Sequence, residues 1–157
     1  MFCARYVSPL GPMLLTGGDN GLTGIWFDRE PEEAESSHPI LDQTKRWLDA
    51  YFAGKKPDVE IPVNLYGTPF QKQVWQLLMT IPYGETRTYG DIAREMALLT
   101  GKEKMSAQAV GQAVGKNPIS ILIPCHRVIG AKGQLTGYAS GLEKKVWLLE
   151  HEKSAGR

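Results

Sequence analysis

The run Ile121-Leu122-Ile123-Pro124-Cys125-His126-Arg127-Val128 sets a thiol and an imidazole side by side behind a proline. A thiol attacks well only as thiolate, which calls for a base or a positive field nearby. His126 supplies one, directly or through a single water, if a carboxylate orients its ring. Pro124 fixes the approach, so Cys125 is expected at the end of a rigid element and not on a mobile loop. The chemistry on offer is nucleophilic transfer to sulfur. Taken alone, the pair also fits an ordinary buried cysteine, because neighbours on a strand point to opposite faces.

A second unusual segment precedes it. Along Ser106–Lys116, Val110, Ala113 and Val114 form an apolar stripe, while Gln108, Gly111, Gln112 and Gly115 recur at i, i+3, i+4 and i+7. Glycine inside a helix costs about 1 kcal/mol against alanine, so two on one face ask for a reason. Close approach of another surface, such as a narrow DNA groove, is one. Tight packing on a neighbouring helix, or an early helix end at Gly115, is the other.

These residues need elements to hold them. Phe2–Val7, Met13–Thr16 and Leu22–Phe27 are short apolar or alternating runs punctuated by SPLGP and GGDNG, which predicts a small antiparallel meander. A polar, acidic loop follows. Ile40, Leu41, Thr44, Trp47, Leu48, Tyr51 and Phe52 then recur at helical spacing, with Pro39 in the first turn and Gly54 at the end. The segment 57–67 reads as a connector, dividing the chain into domains 1–62 and 63–157.

The second half opens with Thr68 as N-cap and Pro69 in first position, and Phe70, Val74, Leu77 and Leu78 point inward. Thr88 with Asp91 starts the next helix, and Ile92, Ala93 and Met96 give it an apolar side. A third helix near Ser106–Gly115 leads to an apolar strand, Ile119–Ile123. A glycine-rich GAKGQLTG segment follows as a wing, then a last helix near Leu142–Glu152 packed through Val146, Leu149 and Trp147. Helix, loop, helix and strand in this order predict a winged helix-turn-helix.

Composition sets limits. The 157 residues carry a formal charge of +1, but unevenly. Residues 1–66 hold six Lys/Arg against ten Asp/Glu, and the remainder twelve against seven. The basic half suits phosphates. No window approaches the ~20 apolar residues of a membrane span, and the N-terminus lacks a secretion-signal pattern. A cytoplasmic protein with no membrane association is expected. Two cysteines, Cys3 and Cys125, form neither a disulfide framework nor a metal-type pair, so neither metal nor cofactor is expected.

The run NPISILIPCHRVIG, followed by GYASGLEKKVWLLEHE, resembles the methylated-DNA–protein-cysteine methyltransferases, or 6-O-alkylguanine-DNA alkyltransferases. Pro-Cys-His-Arg-Val is a specific signature, and the similarity extends from Thr68 to Glu152, with weaker agreement at SPLG. It implies an α/β ribonuclease-H-like N-terminal domain, a small sheet plus helix, followed by a mostly α winged helix-turn-helix domain. It further implies single-turnover repair: a methyl or alkyl group passes from 6-O-alkylguanine, and from 4-O-alkylthymine, to Cys125. The partner would be double-stranded DNA, held by a monomer through the minor groove with the alkylated base flipped out.

By the same resemblance, His126 acts through a water as base to Cys125, and Glu152 orients its ring. Asn117 braces the turn before the active-site segment. Tyr89 presses on the target phosphate and assists proton delivery. Val128 reads the guanine edge, Tyr138 and Val114 wall the pocket, and Lys145 lies near the tyrosine. Independently of the resemblance, the glycine-glutamine face of the third helix, with Gln108 and Gly111, is expected in the DNA minor groove. The helix N-terminal backbone around Ser106 and Ala107 suits phosphate, and Lys132 in the wing adds a backbone contact. Two positions depart from the pattern. Gln108 stands where the family has an arginine finger, so flipping is expected with weaker, less salt-dependent binding. Ala139 replaces a serine found in some relatives, leaving its backbone N–H as donor to the substrate oxygen. The rivals are a thiol hydrolase, which would turn over repeatedly, and a winged-helix regulator, whose DNA affinity would survive Cys125→Ala.

Overall fold

The computed structural model describes residues 1–155. The chain forms two compact units: Met1–Tyr66 with Pro118–Ser120 and the terminal Ser154 and Ala155, and Gly67–Asn117 with Ile121–Lys153.

In the first unit, β1 (Phe2–Ser8), β2 (Gly11–Gly18) and β3 (Gly21–Phe27) form an antiparallel meander in that order. Strand alternation turns Ala4, Met13, Leu15 and Ile25 to one buried face. Across that core lies α1 (Pro39–Phe52), which buries Ile40, Leu41, Thr44, Leu48 and Tyr51. The cap of α1 is His38, whose Nδ1 accepts from the Ile40 N–H at 3.1 Å, and Gly54 leaves the helix at φ 82. Both sheet edges are closed. Ser36 exchanges hydrogen bonds with Cys3 along β1. Residues 62–64 and 118–120 bond to Leu22 and Ile25 along β3.

The second unit is mainly helical. Its elements are α2 (Pro69–Leu78), β4 (Arg87–Thr88), α3 (Tyr89–Thr100), α4 (Ala107–Gly115), β5 (Val128–Ile129) and α5 (Leu142–Ala155), whose last two residues belong to the first unit. Thr68 with Gln71 and Thr88 with Asp91 make reciprocal capping boxes on α2 and α3. Trp75 is buried on α2 beside Val74, Leu77 and Leu78, while Phe70 is only half-buried. The Trp75 indole N–H donates to the Ala113 carbonyl at 2.8 Å and ties α2 to α4. β4 and β5 pair in parallel.

Two expectations change, at Ile119–Ile123 and at α5. Ile119–Ile123 is not a strand: Ile119 makes one bridge, to Ile25, and the rest turns. Ile121 sits in the left-handed region at φ 69, and Pro118 and Pro124 bracket the run. Its isoleucines are buried, so the apolar character came from burial and not from pairing. The GAKGQLTG segment carries a short 3-10 turn, Ala131–Gly133, closed by Gly130 N–H donating to Gln134 at 2.7 Å. Finally, α5 faces inward through Lys145, Leu148 and Glu152, whereas Val146, Leu149 and Trp147 are half-buried. Two of those three inward residues are charged, so hydrophobic periodicity points to the wrong stripe.

Candidate active site

Cys125 opens a 3-10 turn, Cys125–Arg127, immediately before β5. Its N–H donates to the Ile123 carbonyl at 2.7 Å across Pro124 (φ −80, ψ 64), an inverse γ-turn. The cysteine therefore sits on a tight, fixed turn, not at a strand end as the sequence led one to expect. Strand alternation does not apply there, which removes the main objection to an adjacent Cys-His pair. Cys125 is 8% exposed and His126 fully buried.

The imidazole is locked. His126 Nε2 lies 2.5 Å from Glu152 Oε2. Nδ1 is buried and has no hydrogen-bond partner among the described residues. Glu152, from α5, also accepts from the Gly84 N–H at 3.0 Å and from Arg127 Nε and Nη2 at 2.8 and 3.2 Å. Burial by itself would raise the Glu152 pKa. The hydrogen bonds and charges of His126 and Arg127 outweigh that and hold the carboxyl well below the usual carboxylate range. For His126, burial dominates and lowers its proton affinity, Glu152 pulls the other way, and Arg127 and Lys145 add to the lowering.

Around the sulfur, burial pushes the Cys125 thiol up. Hydrogen bonds from the Asn117 and Tyr138 side chains, then the Lys145 charge, oppose it. Asn117 also donates to the Ile123 carbonyl at 2.8 Å, bracing the same turn. Lys145 is fully buried, and its Nζ reaches the carbonyls of Thr136 and Gly137 at 3.0 and 3.2 Å. It also lies 5.8 Å from the Tyr89 ring centre. Tyr89, first residue of α3, donates its hydroxyl to the Thr136 carbonyl at 3.4 Å. Burial, then the nearby Cys125 charge, raises its pKa and keeps the phenol protonated.

The structure thus gathers Cys125, His126, Glu152, Asn117, Tyr138, Lys145 and Tyr89 in one cluster. Val128 is buried in β5 next to it, and Val114 belongs to the buried side of α4. Ala139 is exposed on the loop before α5. Ser106 caps α4, its Oγ accepting from the Ala109 N–H at 3.2 Å, and Ala107 and Gln108 are exposed. Lys132 is exposed at the tip of the 3-10 turn, with φ 60.

The glycine face of α4 is not explained by tight packing. A Cβ built at Gly115 meets nothing within 4 Å, and one at Gly111 would rest 3.9 Å from the Tyr89 ring, an ordinary contact. The face stands open beside Tyr89. Arg127 is the residue that sequence reasoning passed over, although it stands inside the signature run. The hint was a third ionisable neighbour of a buried carboxylate, invisible until Glu152 was placed. Among the described residues, no helix is long and apolar enough to cross a membrane, and no three metal-ligating side chains gather.

Two family models cover nearly the whole chain. Residues 69–154 match the 6-O-methylguanine DNA methyltransferase DNA-binding domain, and residues 1–65 match the ribonuclease-like domain of the same family. The methylated-DNA–protein-cysteine methyltransferase of Methanosarcina acetivorans is 46% identical, over 98% of this chain and 99% of its own. That of Mycobacterium leprae is 44% identical over 96% and 92%. The crystal structure of Mycobacterium tuberculosis OGT in complex with DNA superposes with a TM-score of 0.85, at 42% identity, over 99% of this chain and 94% of that one.

Proposed function

Because the chain belongs to the methylated-DNA–protein-cysteine methyltransferase family, we propose that it repairs alkylated DNA by direct reversal, with Cys125 as acceptor. The observation that carries this reading is the buried Cys125 turn, in which the neighbouring imidazole is held by Glu152 and a buried lysine and a half-buried tyrosine, Lys145 and Tyr89, stand near the sulfur.

The reaction is an in-line displacement at the alkyl carbon of 6-O-alkylguanine, and of 4-O-alkylthymine. The S–C bond forms as the C–O bond breaks. The thiol proton goes to His126 through a water at Nδ1, and Glu152 stabilises the resulting imidazolium. The departing base takes a proton from solvent, delivered with the help of the Tyr89 hydroxyl, which regains its own. The thioether has no thiolate to regenerate, so each chain acts once. The target carbon is unreachable in a duplex, so the nucleotide is flipped out at a cost of a few kcal/mol. Val128, Tyr138, Val114 and the Ala139 N–H then form its pocket.

DNA lies against the open face of α4, minor groove inward, with Gln108 in the vacated stack and Gly111 allowing close approach. The N–H groups at Ser106 and Ala107, with Lys132, take phosphates. In this reading residues 1–62 are a ribonuclease-H-like domain, residues 63–157 a winged helix-turn-helix domain, and the protein a cytoplasmic monomer.

The test is incubation with a duplex carrying 6-O-methylguanine, followed by intact-mass and peptide analysis. One methyl per chain on Cys125, absent from Cys125→Ala, is expected. Unmodified Cys125 in folded, reduced protein refutes the proposal.

A further inference from the structure

We propose that Arg127 is a positioning residue: by gripping Glu152 in a two-point fork it keeps His126 a neutral imidazole in a single tautomer. The inference rests on the reading of Cys125 as acceptor and His126 as its base, and it concerns a residue to which that reading gives no part.

The geometry is specific. Glu152 Oε1 takes Arg127 Nε at 2.8 Å and the Gly84 N–H at 3.0 Å, while Oε2 takes His126 Nε2 at 2.5 Å and Arg127 Nη2 at 3.2 Å. Four donors converge on two oxygens, so the carboxylate is the charged acceptor and His126 carries its hydrogen on Nε2. That leaves Nδ1 as the nitrogen able to accept a proton. Arg127 is anchored in turn: Nη1 donates to the Ile81 carbonyl at 2.8 Å, and the guanidinium lies 5.6 Å from the Tyr83 ring centre. It is 8% exposed, so water cannot take over these contacts.

A lone carboxylate this close to an imidazole would draw a second proton onto the ring, and a ring already charged is no base. The charged groups acting on His126 are Glu152 and Lys145 of α5 and Arg127 of its own turn, and Tyr83, from the loop after α2, lies against Arg127. Of these, Arg127 shares the very oxygen that His126 uses, which puts the two nitrogens within about 6 Å, a range at which a like charge moves a titration by a unit or more. The signs agree: Glu152 raises the proton affinity of His126 and Arg127 lowers it. Arg127 thus lets Glu152 orient the ring without protonating it.

The test is NMR of the ring nitrogens and carbons of histidine in the full chain, with His126 assigned by His38→Gln and His151→Gln among the three histidines. Between pH 6 and 8 the wild-type His126 is expected neutral with its proton on Nε2. In Arg127→Met its titration midpoint should rise by about one unit or more, a tenfold gain in proton affinity. The acid limb of single-turnover methyl transfer should follow. Arg127→Lys keeps the charge but not the fork, so it should restore the midpoint more than the stability. If Arg127→Met fails to fold, the wild-type spectra still decide. An imidazolium at neutral pH, or a proton on Nδ1, overturns the inference, as does an Arg127→Met midpoint equal to that of wild type. The expected rise of the His126 midpoint in Arg127→Met, in a protein whose wild type transfers no methyl, supports the role of Arg127 while sinking the acceptor reading.

Discussion

Glu152→Gln changes one oxygen to an amide at the centre of four hydrogen bonds. The glutamine keeps a single acceptor oxygen, and its NH2 must then face either the His126 Nε2–H or the Arg127 fork, donor against donor. Arg127 stays buried and charged without its partner. Removing one member of a buried ion pair costs about 3–5 kcal/mol. For a chain of this size that lowers Tm by roughly 6–20 °C. The pH dependence supplies a sharper check. The folded carboxyl is held below the usual Glu value, so its contribution is fully present above about pH 4.3 and is lost as pH falls through the folded pKa. The gap between wild type and Glu152→Gln should be widest at neutral pH and narrow by about 1.4 kcal/mol per unit below about pH 4. Urea unfolding followed by tryptophan fluorescence at pH 7, 5 and 3.5 measures both. A gap under about 1 kcal/mol at pH 7, or an undiminished gap at pH 3.5, refutes the reasoning.

Lys145→Met keeps the buried stem but removes the positive charge that opposes burial of the thiol. The pH at which Cys125 reacts with iodoacetamide should move upward, and an unchanged profile would deny the lysine any part in activation. Gly115→Ala has open space around it and Gly111→Ala only an ordinary contact. Both should gain up to about 1 kcal/mol in thermal or urea stability while losing affinity for duplex DNA; retention of full affinity would release α4 from the DNA contact. Gln108→Arg, on the exposed side of α4, should bind duplex more tightly at low salt, with a steeper salt dependence. Equal affinity in a salt titration would contradict a stacking position for residue 108.

Legibility followed the physics of each segment. Capping residues act locally, so Thr68 and Thr88 marked helix starts that the structure keeps. The meander announced itself through alternation, and the buried side of α4 through Val110, Ala113 and Val114. The Ile119–Ile123 run misled because burial on all sides gives an apolar string whether or not the backbone pairs, and nothing local betrays the positive φ of Ile121. The α5 stripe misled for the opposite reason. Its inward positions are Lys145 and Glu152, and a pattern built on apolar spacing treats charge as solvent-facing. The signature run brought Cys125 and His126 into view, but Arg127 acquires meaning only from a carboxylate 25 residues downstream.

That misread helix determines how the site is polarised. Lys145 and Glu152 are seven positions apart, two turns of α5 on the same face, or about 10 Å along the axis. The intervening Leu148 is fully buried, so no water screens the two charges from below. The ammonium end acts on Cys125 and lies over the Tyr89 ring, and the carboxylate end acts on His126. Moving a proton from thiol to imidazole therefore places the negative charge toward the lysine and the positive charge toward the glutamate. Both are stabilised by groups already fixed in place, which is where preorganised charge is most effective. Without that proton transfer, burial favours the neutral thiol and neutral ring. A site of this kind holds its nucleophile quiet in the resting protein and spends it when an alkyl carbon lies in line with the sulfur, which suits a residue that can react only once.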